Sequence, residues 1–336
     1  MATVRSISPD VQEGARSGVP RVTVLAPAPT VNVELVTDPT GADTPGNAEV
    51  HLHPGGQGAW VAGMVVALGA EVSMCSPLGG ELGGGLAQML RSANISVKDI
   101  GTGVATGAQV VDLRGEERQE LATMVPAPLG RHELDDFYGM ALVDALESDV
   151  LIVTGVNPPE LVPASFFARL VADVRAAGRT VVADLSGEAA EAVIPERPSV
   201  LKMSHEEVLA GGLAASESLG DLLVGARRIV TDGVEGLVMS RAADPALLVT
   251  AEGAWLVTGP SVRAVQPAGA GDSMTAGIAV GLARGLGIVD AVRLGTAAGA
   301  LNVARRGLGS GRREQIERLA AQVTVERVEE PRGEVA

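Results

Sequence analysis

The stretch Gly269–Met274, with the sequence Gly-Ala-Gly-Asp-Ser-Met, decides what fold and chemistry to expect from this chain. The small and apolar residues after it, Thr275 to Arg284, predict a helix that begins at this glycine turn. Glycines before a helix let several backbone N–H groups point at one anion, and the helix dipole adds about half a positive charge there. The stretch therefore predicts a turn that holds phosphate.

Asp272 lies in the first turn of this predicted helix, and two interpretations are open. A lone Asp at such a position is commonly a simple N-cap. Alternatively, its carboxylate accepts the proton of a substrate hydroxyl, while the amides of Gly269, Ala270 and Gly271 stabilise charge on a transferring phosphoryl group. Phosphoryl transfer requires little beyond positioning, electrostatic support and such a base.

Composition limits the class of protein. The 336 residues are 46% hydrophobic but only 2% aromatic, so we expect a globular core built mainly from Ala, Val, Leu and Ile. With 41 acidic against 26 basic residues the net charge is -15, which argues against nucleic acid as a partner. The single cysteine, Cys75, excludes an intrachain disulfide, and no apolar run suggests a membrane span or a signal peptide. These features favour a cytoplasmic protein.

Strand-like apolar runs alternate with helical patterns such as Pro163–Ala177, which predicts an α/β fold with a mostly parallel sheet covered by helices on both faces. We expect one domain over residues 21–325, with flexible tails at 1–20 and 326–336. The predicted strands are Arg21–Ala26, Glu71–Cys75, Val150–Thr154, Thr180–Ala183, Val200–Met203, Arg228–Thr231 and Gly236–Met239.

Two stretches interrupt this alternation, Val31–His53 and Thr102–Pro126. They are typical of short antiparallel strands and predict a separate β lid, although ordinary surface hairpins fit the same pattern. A lid with exposed strand edges would favour pairing with a second copy of the chain, so we expect a homodimer.

The stretch Gly269–Gly277 resembles the second signature of the ribokinase/PfkB family of sugar kinases, and its wording is most similar to the 1-phosphofructokinase and tagatose-6-phosphate kinase branch. The resemblance runs from about Val22 to Val325 with matching order and spacing. It implies a ribokinase-like three-layer α/β/α domain with a small β lid. It also implies ATP and Mg²⁺ as cofactors, a small hydroxyl compound as acceptor, and Asp272 as the base.

The resemblance also implies two sets of binding residues. Gly55–Ala62 is similar to the family's first signature, which lines the acceptor pocket, although a packing role for this glycine turn is the alternative. The implied acceptor-binding residues are Thr30, Gly55, Gly56, Gln57, Trp60, Gln109 and Gly155. The implied nucleotide-binding residues are Lys202, Ser204, Glu207, Thr231, Gly233, Gly236 and Asn302.

Several of these positions have a second interpretation. Glu207 matches the acidic residue that organises Mg²⁺ through water, but Ser204-x-x-Glu207 is also a capping box, and both can hold. Thr231–Gly236 is similar to the family's nucleotide loop, yet by itself it is a strand, a turn and a strand. The segment Gly307–Glu314 resembles the turn beside the adenine, whereas its arginines, Arg312 and Arg313, also fit solvated surface charges.

The chain departs from the family where the acceptor binds. Thr30 and Trp60 stand where the family usually holds sugar hydroxyls with Asp and Asn, which puts the usual sugar in doubt. Trp60 would offer a flat apolar wall with one N–H donor, or else fill the core. Asn47 and Gly107 stand where phosphosugar kinases place a basic residue and an Arg. The remaining candidate cations are Arg114, Arg118 and Arg131.

These observations support an active kinase and leave an alternative, a weak or inactive protein of the same fold that senses a metabolite through its altered pocket. Thr30, Trp60, Gly107 and Ser204 motivate this alternative. The sequence argues against a nicotinamide dehydrogenase, because no G-x-G-x-x-G follows the first strand with an acidic residue about 20 positions further on.

Overall fold

Short strands rich in Val, Leu and Ile alternate with helices along the chain. The structure, a computed structural model, describes residues 18–37, 48–115, 118–265, 268–305 and 309–328. The strands are β1 (Arg21–Leu25), β2 (Thr30–Val36), β3 (Glu49–Gly55), β4 (Glu71–Ser76), β5 (Ser96–Asp99), β6 (Gly107–Asp112), β7 (Gln119–Met124), β8 (Val150–Thr154), β9 (Thr180–Asp184), β10 (Val200–Ser204), β11 (Gly236–Arg241), β12 (Asp244–Thr250), β13 (Gly253–Thr258) and β14 (Thr324–Arg327). The helices are α1 (Gln57–Ala67), α2 (Gly80–Ser92), α3 (Arg131–Glu147), α4 (Ala164–Ala176), α5 (Gly187–Val193), α6 (His205–Ala210), α7 (Leu219–Thr231), α8 (Ala270–Ala283), α9 (Ile288–Val303) and α10 (Arg313–Ala320).

The central sheet has ten strands in the order β14-β13-β12-β11-β10-β9-β8-β1-β4-β5. From β11 to β5 all neighbours are parallel, and β12, β13 and β14 add antiparallel pairs at one edge. The inner strands are buried on both faces, as in β8, where every residue of Val-Leu-Ile-Val-Thr is buried. One hydrophobic cluster lies under α1, α2, α8 and α9, and the other under α3, α4, α5 and α7. The predicted three-layer α/β/α fold is confirmed.

The lid is a four-stranded sheet in the order β3-β2-β6-β7. Its strands lie in the two stretches predicted for it, except that β2 begins one residue earlier, at Thr30, and β3 ends two residues later, at Gly55. Its outer pairs, β2 with β3 and β6 with β7, are antiparallel as expected. The central pair, β2 with β6, is parallel, so the expectation of purely antiparallel strands was wrong. The reason is that β2 follows β1 and β6 follows β5, and both core strands end at the same edge of the central sheet.

Two further predictions were wrong. Arg228–Thr231 is the last turn of α7 and not a strand, because Leu222, Ala226 and Ile229 recur at helical spacing on one buried face. The C-terminal tail does not begin at residue 326, because β14 extends to Arg327 and pairs with β13. The predicted N-terminal tail lies outside the described residues up to position 17, as does the C-terminal tail from position 329.

In the part of the chain that the structure describes, none of the helices combines the length and the apolar character needed to cross a bilayer.

Candidate active site

The start of α8 lies at the edge of the sheet where the parallel strands end. Gly269 has φ 75°, a left-handed conformation that suits glycine, and it is the residue from which the helix begins. Almost the whole of α8 after Asp272 is buried, because its small residues allow a close approach to the sheet and to α9. The glycine turn is therefore fixed by a buried helix, with its amides at the open end.

Asp272 is the third residue of this helix, and the N-cap position belongs to Gly269, which has no side chain to cap with. The simple N-cap interpretation of Asp272 is therefore wrong. Its carboxyl group is half-buried, and burial together with the negative charge of Asp184 raises its pKa to about 7, while Lys202 and a hydrogen bond from Gln57 act in the opposite direction. A carboxyl group with such a pKa can gain and lose a proton near neutral pH.

Lys202 is buried beside this carboxyl group. Its Nζ atom lies 3.1 Å from Oδ1 and 3.2 Å from Oδ2 of Asp184, and the hydroxyl of Thr275 donates to Oδ2 of the same carboxylate at 2.6 Å. A Cβ atom added to Gly271 would lie only 2.7 Å from Nζ, so the ammonium group sits directly against the turn of α8. Asp184 and Asp272 raise the pKa of Lys202 against the effect of its burial, so the lysine stays charged.

Gln57 connects the first-signature turn to the same site. Its side chain donates to the carboxylate of Asp272 and accepts, through Oε1, a hydrogen bond from the amide of Gly155 at 3.0 Å. Immediately before it, Gly55 and Gly56 lie against Thr30, whose Oγ1 would be 2.7 Å from a Cβ added to Gly55. Five of the seven predicted acceptor-binding residues thus lie together, and the glycines are required for this close approach.

The other two predicted acceptor residues, Trp60 and Gln109, are connected to this group only through neighbouring residues. Trp60 is half-buried in the next turn of α1, so it is not an interior core residue. Gln109 lies on β6 beside Asn32 of β2, on the strand pair that begins at Thr30. Asn47, which was compared with a basic residue of the family, lies outside the described residues.

Ser204 and Glu207 form the predicted capping box at the start of α6. The backbone N–H of Ser204 donates to Oε2 of Glu207 at 2.7 Å, and the N–H of Glu207 donates to Oγ of Ser204 at 3.2 Å. The capping-box interpretation is therefore confirmed. Oε1 of Glu207 has no part in this cap, so the residue keeps an oxygen for a hydrated cation. Among the described residues no cluster of three metal-ligating side chains occurs.

Three predicted nucleotide residues are at the wrong edge of the sheet. Thr231 and Gly233 precede β11, and Gly236 is its first residue. Gly233 and Gly236 lie against residues that precede β10, and between them the amide of Glu235 donates to Pro198 O at 3.3 Å. Parallel strands end at the opposite edge, where Ser204 and Asp272 lie. The interpretation of Thr231–Gly236 as a nucleotide loop is wrong, because the preceding run is helical and the loop therefore falls at the start of β11.

The loop at the correct edge follows β11 and was missed. Ser240 pairs in register with Ser204, and the tight hairpin Arg241–Asp244 comes next, with Ala242 at φ 50°. The guanidinium group of Arg241 contacts Oδ2 of Asp244 at 3.6 Å. The sequence signal for this loop was the end of the predicted strand Gly236–Met239. The chain has to turn where that strand ends, at this edge of the sheet.

Asn302 is buried and its amide is used within the protein. Nδ2 donates to Ala268 O at 2.7 Å, and Oδ1 accepts from the amide of Gly309 at 3.2 Å. It therefore holds the segment before the α8 turn instead of offering free polar atoms. Arg312 and Arg313 are exposed, and Nε of Arg313 donates to Glu317 at 2.7 Å, so they are solvated surface charges as the second interpretation expected. Gly307 and Leu308 lie outside the described residues.

Comparisons with known proteins agree with this geometry. The family model for "pfkB family carbohydrate kinase" matches residues 29–315. An ATP-dependent 6-phosphofructokinase isozyme 2 of Mycobacterium tuberculosis is 29% identical over 321 residues, which cover 91% of this chain and 92% of that protein. A 1-phosphofructokinase of Bacillus subtilis is 29% identical over 182 residues, 54% of this chain and 59% of that protein.

A solved structure shares the fold. Phosphofructokinase-2 from Escherichia coli, in complex with potassium, superposes with a TM-score of 0.79 at 24% sequence identity and covers 90% of this chain and 99% of that one. The family match spans most of the chain, including the lid, the glycine turn and Asp272. This chain belongs to the pfkB family of carbohydrate kinases.

Proposed function

We propose that this chain transfers the γ-phosphate of ATP to a hydroxyl group of a small sugar or sugar-like compound, with Asp272 as the base. The observation that carries this proposal is the half-buried carboxyl of Asp272, with its pKa raised to about 7, at the first turn of α8 and beside a glycine turn. A base with this pKa is about half ionised at neutral pH and accepts a proton effectively.

The reaction requires two further contributions from the site. As the acceptor oxygen attacks phosphorus and the bond to ADP breaks, the hydroxyl proton moves to Asp272. The backbone amides at Gly269, Ala270 and Gly271 and the nearby charge of Lys202 then stabilise the negative charge on the transferring group. Because Lys202 is held by Asp184, it acts by its charge and by supporting the turn, not as a ligand of ATP.

ATP would lie at the edge formed by the ends of β10 and β11. Ser204, Ser240 and the hairpin after β11 offer hydroxyl and backbone groups there. When bound with the nucleotide, Mg²⁺ supplies charge neutralisation between the phosphates, and Glu207 would hold it through water. Because the reaction consumes ATP, we expect the protein to act in the cytoplasm.

The Asp272→Asn variant tests the assignment. ADP formation should fall by about 100-fold or more, with ATP affinity near that of the wild type, because the amide cannot accept the proton. Asp290→Asn is the matched control, because Asp290 also lies in the first turn of a helix, α9, but is exposed. Retained turnover in Asp272→Asn would refute the role of this residue.

A second candidate is a metabolite sensor of the same fold. It is favoured by the acceptor side, where Thr30, Trp60 and Gly107 replace the side chains that usually bind substrate, and by Ser204, which caps α6. A panel of hydroxyl acceptors separates the two functions. Thermal stabilisation by a ligand without ADP release would favour the sensor, and ATP-dependent phosphorylation would exclude it.

We also propose that the lid joins two copies of the chain. One face of the lid is apolar, and its side chains Val50, Leu52 and Met124 are 57%, 57% and 42% exposed. They alternate along the strands with the polar residues of the other face, so a partner is needed to cover them. A second copy of the same lid offers a matching surface.

A further inference from the structure

The lid carries a second, polar face. Asn32 of β2 is flanked in register by His53 of β3 and Gln109 of β6, and Thr30 is flanked by Gly55 and Gly107. Residues directly opposite one another on paired strands point to the same side of a sheet. We call Thr30, Asn32 and Gln109 the amide face.

The amide face lies on the side of the base. The side chains of Thr30 and Asn32 both lie against Gly55, where an added Cβ would meet Asn32 Oδ1 at 2.4 Å. Gly55 leads within two residues to Gln57, whose amide donates to Asp272. An acceptor with its hydroxyl at Asp272 would therefore meet the amide face.

This side of the molecule is poor in free cations. The segment 31–53 contains no Lys or Arg, and the segment 102–126 contains only Arg114 and Arg118, against four carboxylates in each segment. Arg114 donates to both oxygens of Asp112, at 2.9 and 2.7 Å. The third candidate, Arg131, starts α3 in the core domain.

Arg118 contacts the amide face directly. Its Nη2 atom donates to Oε1 of Gln109 at 2.8 Å, while Nε2 of Gln109 donates to Glu120 at 2.6 Å. His53 faces Glu34 at 3.7 Å. A phosphate dianion placed here would meet the carboxylate of Glu120 and would have to compete with Gln109 for Arg118.

A cleft at the base of the lid has uncharged walls. It is a narrow cleft that opens to solvent, and its lining includes Pro29 and Thr106, the sequence neighbours of Thr30 and Gly107. None of the described residues that line it is charged; the walls include Pro27, Pro29, Thr102, Thr106, Pro126 and Leu161. Such walls offer no cation to a phosphate group on this side of Thr30.

We infer that the acceptor is an uncharged polyhydroxy compound that carries no phosphate group before the reaction. The inference rests on the proposed function, because it assumes that the acceptor hydroxyl lies at Asp272. Amide and hydroxyl groups of Thr30, Asn32 and Gln109 bind neutral hydroxyl groups well, and they leave a phosphate dianion without the charge-assisted contacts that hold it best.

Paired ligands test this inference by binding, independently of turnover. Fructose, tagatose, ribose and adenosine are each compared with their phosphate monoesters, using thermal stabilisation of the wild type and of Asp272→Asn. At least one uncharged member should bind about tenfold or more tightly than its phosphorylated partner. Binding only by phosphorylated members, or by neither class, would overturn the inference.

The arginines supply a matched pair of variants. Arg118→Gln should leave binding of the uncharged member within about twofold, as should the control Arg114→Gln. A phosphorylated ligand that binds the wild type and loses about tenfold or more in Arg118→Gln alone would show that Arg118 grips phosphate, contrary to the inference. Stabilisation by an uncharged member without any ADP formation would leave this inference standing and refute only the kinase function.

Discussion

Among single residues, Asp272 decides how the site responds to pH. Asp272 must be ionised to accept a proton, and its pKa lies at about 7, raised first by burial and then by Asp184. We therefore expect kcat/KM to fall as pH drops below about 7 and to reach a plateau above it. In Asp184→Asn the loss of the negative charge should move this fall in kcat/KM to lower pH. A fall at the same pH as in the wild type would show that Asp184 does not act on the base.

The same shift has a consequence for stability. A carboxyl group whose pKa is raised on folding stabilises the protein below its unfolded pKa, and this contribution is lost as pH rises through the folded value of about 7. Asp272→Asn should therefore raise Tm relative to the wild type above pH 7 and have a smaller effect below it. Differential scanning calorimetry across this range measures the difference, and an equal effect at every pH would contradict the raised pKa.

The ion pair between Lys202 and Asp184 is buried, so removing one partner leaves an unpaired charge in the interior. Asp184→Asn should lower the free energy of unfolding by about 3–5 kcal/mol. Adding Lys202→Met to this variant should recover most of that loss, because the orphan ammonium is gone. Denaturant titrations of both variants give the comparison, and additive losses would show that the charges are not coupled.

Gly271 tests how the turn and the lysine fit together. Gly271→Ala should lower kcat by about tenfold or more, because the new methyl group would lie 2.7 Å from Nζ of Lys202 and displace the ammonium group or the turn. Gly84→Ala in α2 is the control, since a Cβ there meets nothing within 4 Å. Equal activity in both variants would indicate that Lys202 moves without consequence.

Among the helices and strands, the pair α8 and α9 holds the site in place. A Cβ added to Gly277 would lie 2.6 Å from Cα of Gly295, so the two helices touch through their backbones. Gly277→Ala should therefore destabilise the protein by about 1–3 kcal/mol and lower kcat, because α8 carries Asp272. Gly139→Ala, in open space on α3, is the control and should do neither. Unchanged unfolding and activity in Gly277→Ala would contradict this packing.

For the whole molecule, the apolar face of the lid predicts assembly. Leu52→Glu should convert a dimer to a monomer, because a carboxylate cannot be buried between two lids without a partner. The control is Val143→Glu on α3, a side chain that is 61% exposed and far from the lid in sequence. Light scattering reports the mass of each, and a wild-type monomer at micromolar concentration would contradict the proposed dimer.

The sequence by itself determined the alternating strands and helices, the glycine turn at Gly269 with Asp272, and the position of the lid. These features are local, since apolar periodicity and glycines before a helix depend on residues close in the chain. The parallel pairing of β2 with β6 is not local, because it depends on where β1 and β5 end in the sheet.

Only the tertiary structure decided which loops meet at the site. Residues Arg228–Thr231 include the β-branched residues typical of a strand, yet they form the last turn of α7, in which Ile229 is buried. The loop that follows them therefore lies at the edge of the sheet opposite the site. Likewise, Lys202 looked like a nucleotide ligand until its burial against Asp184 was known. Pairing of charges and the edge at which a loop emerges are set by residues distant in sequence, and so no local pattern reveals them.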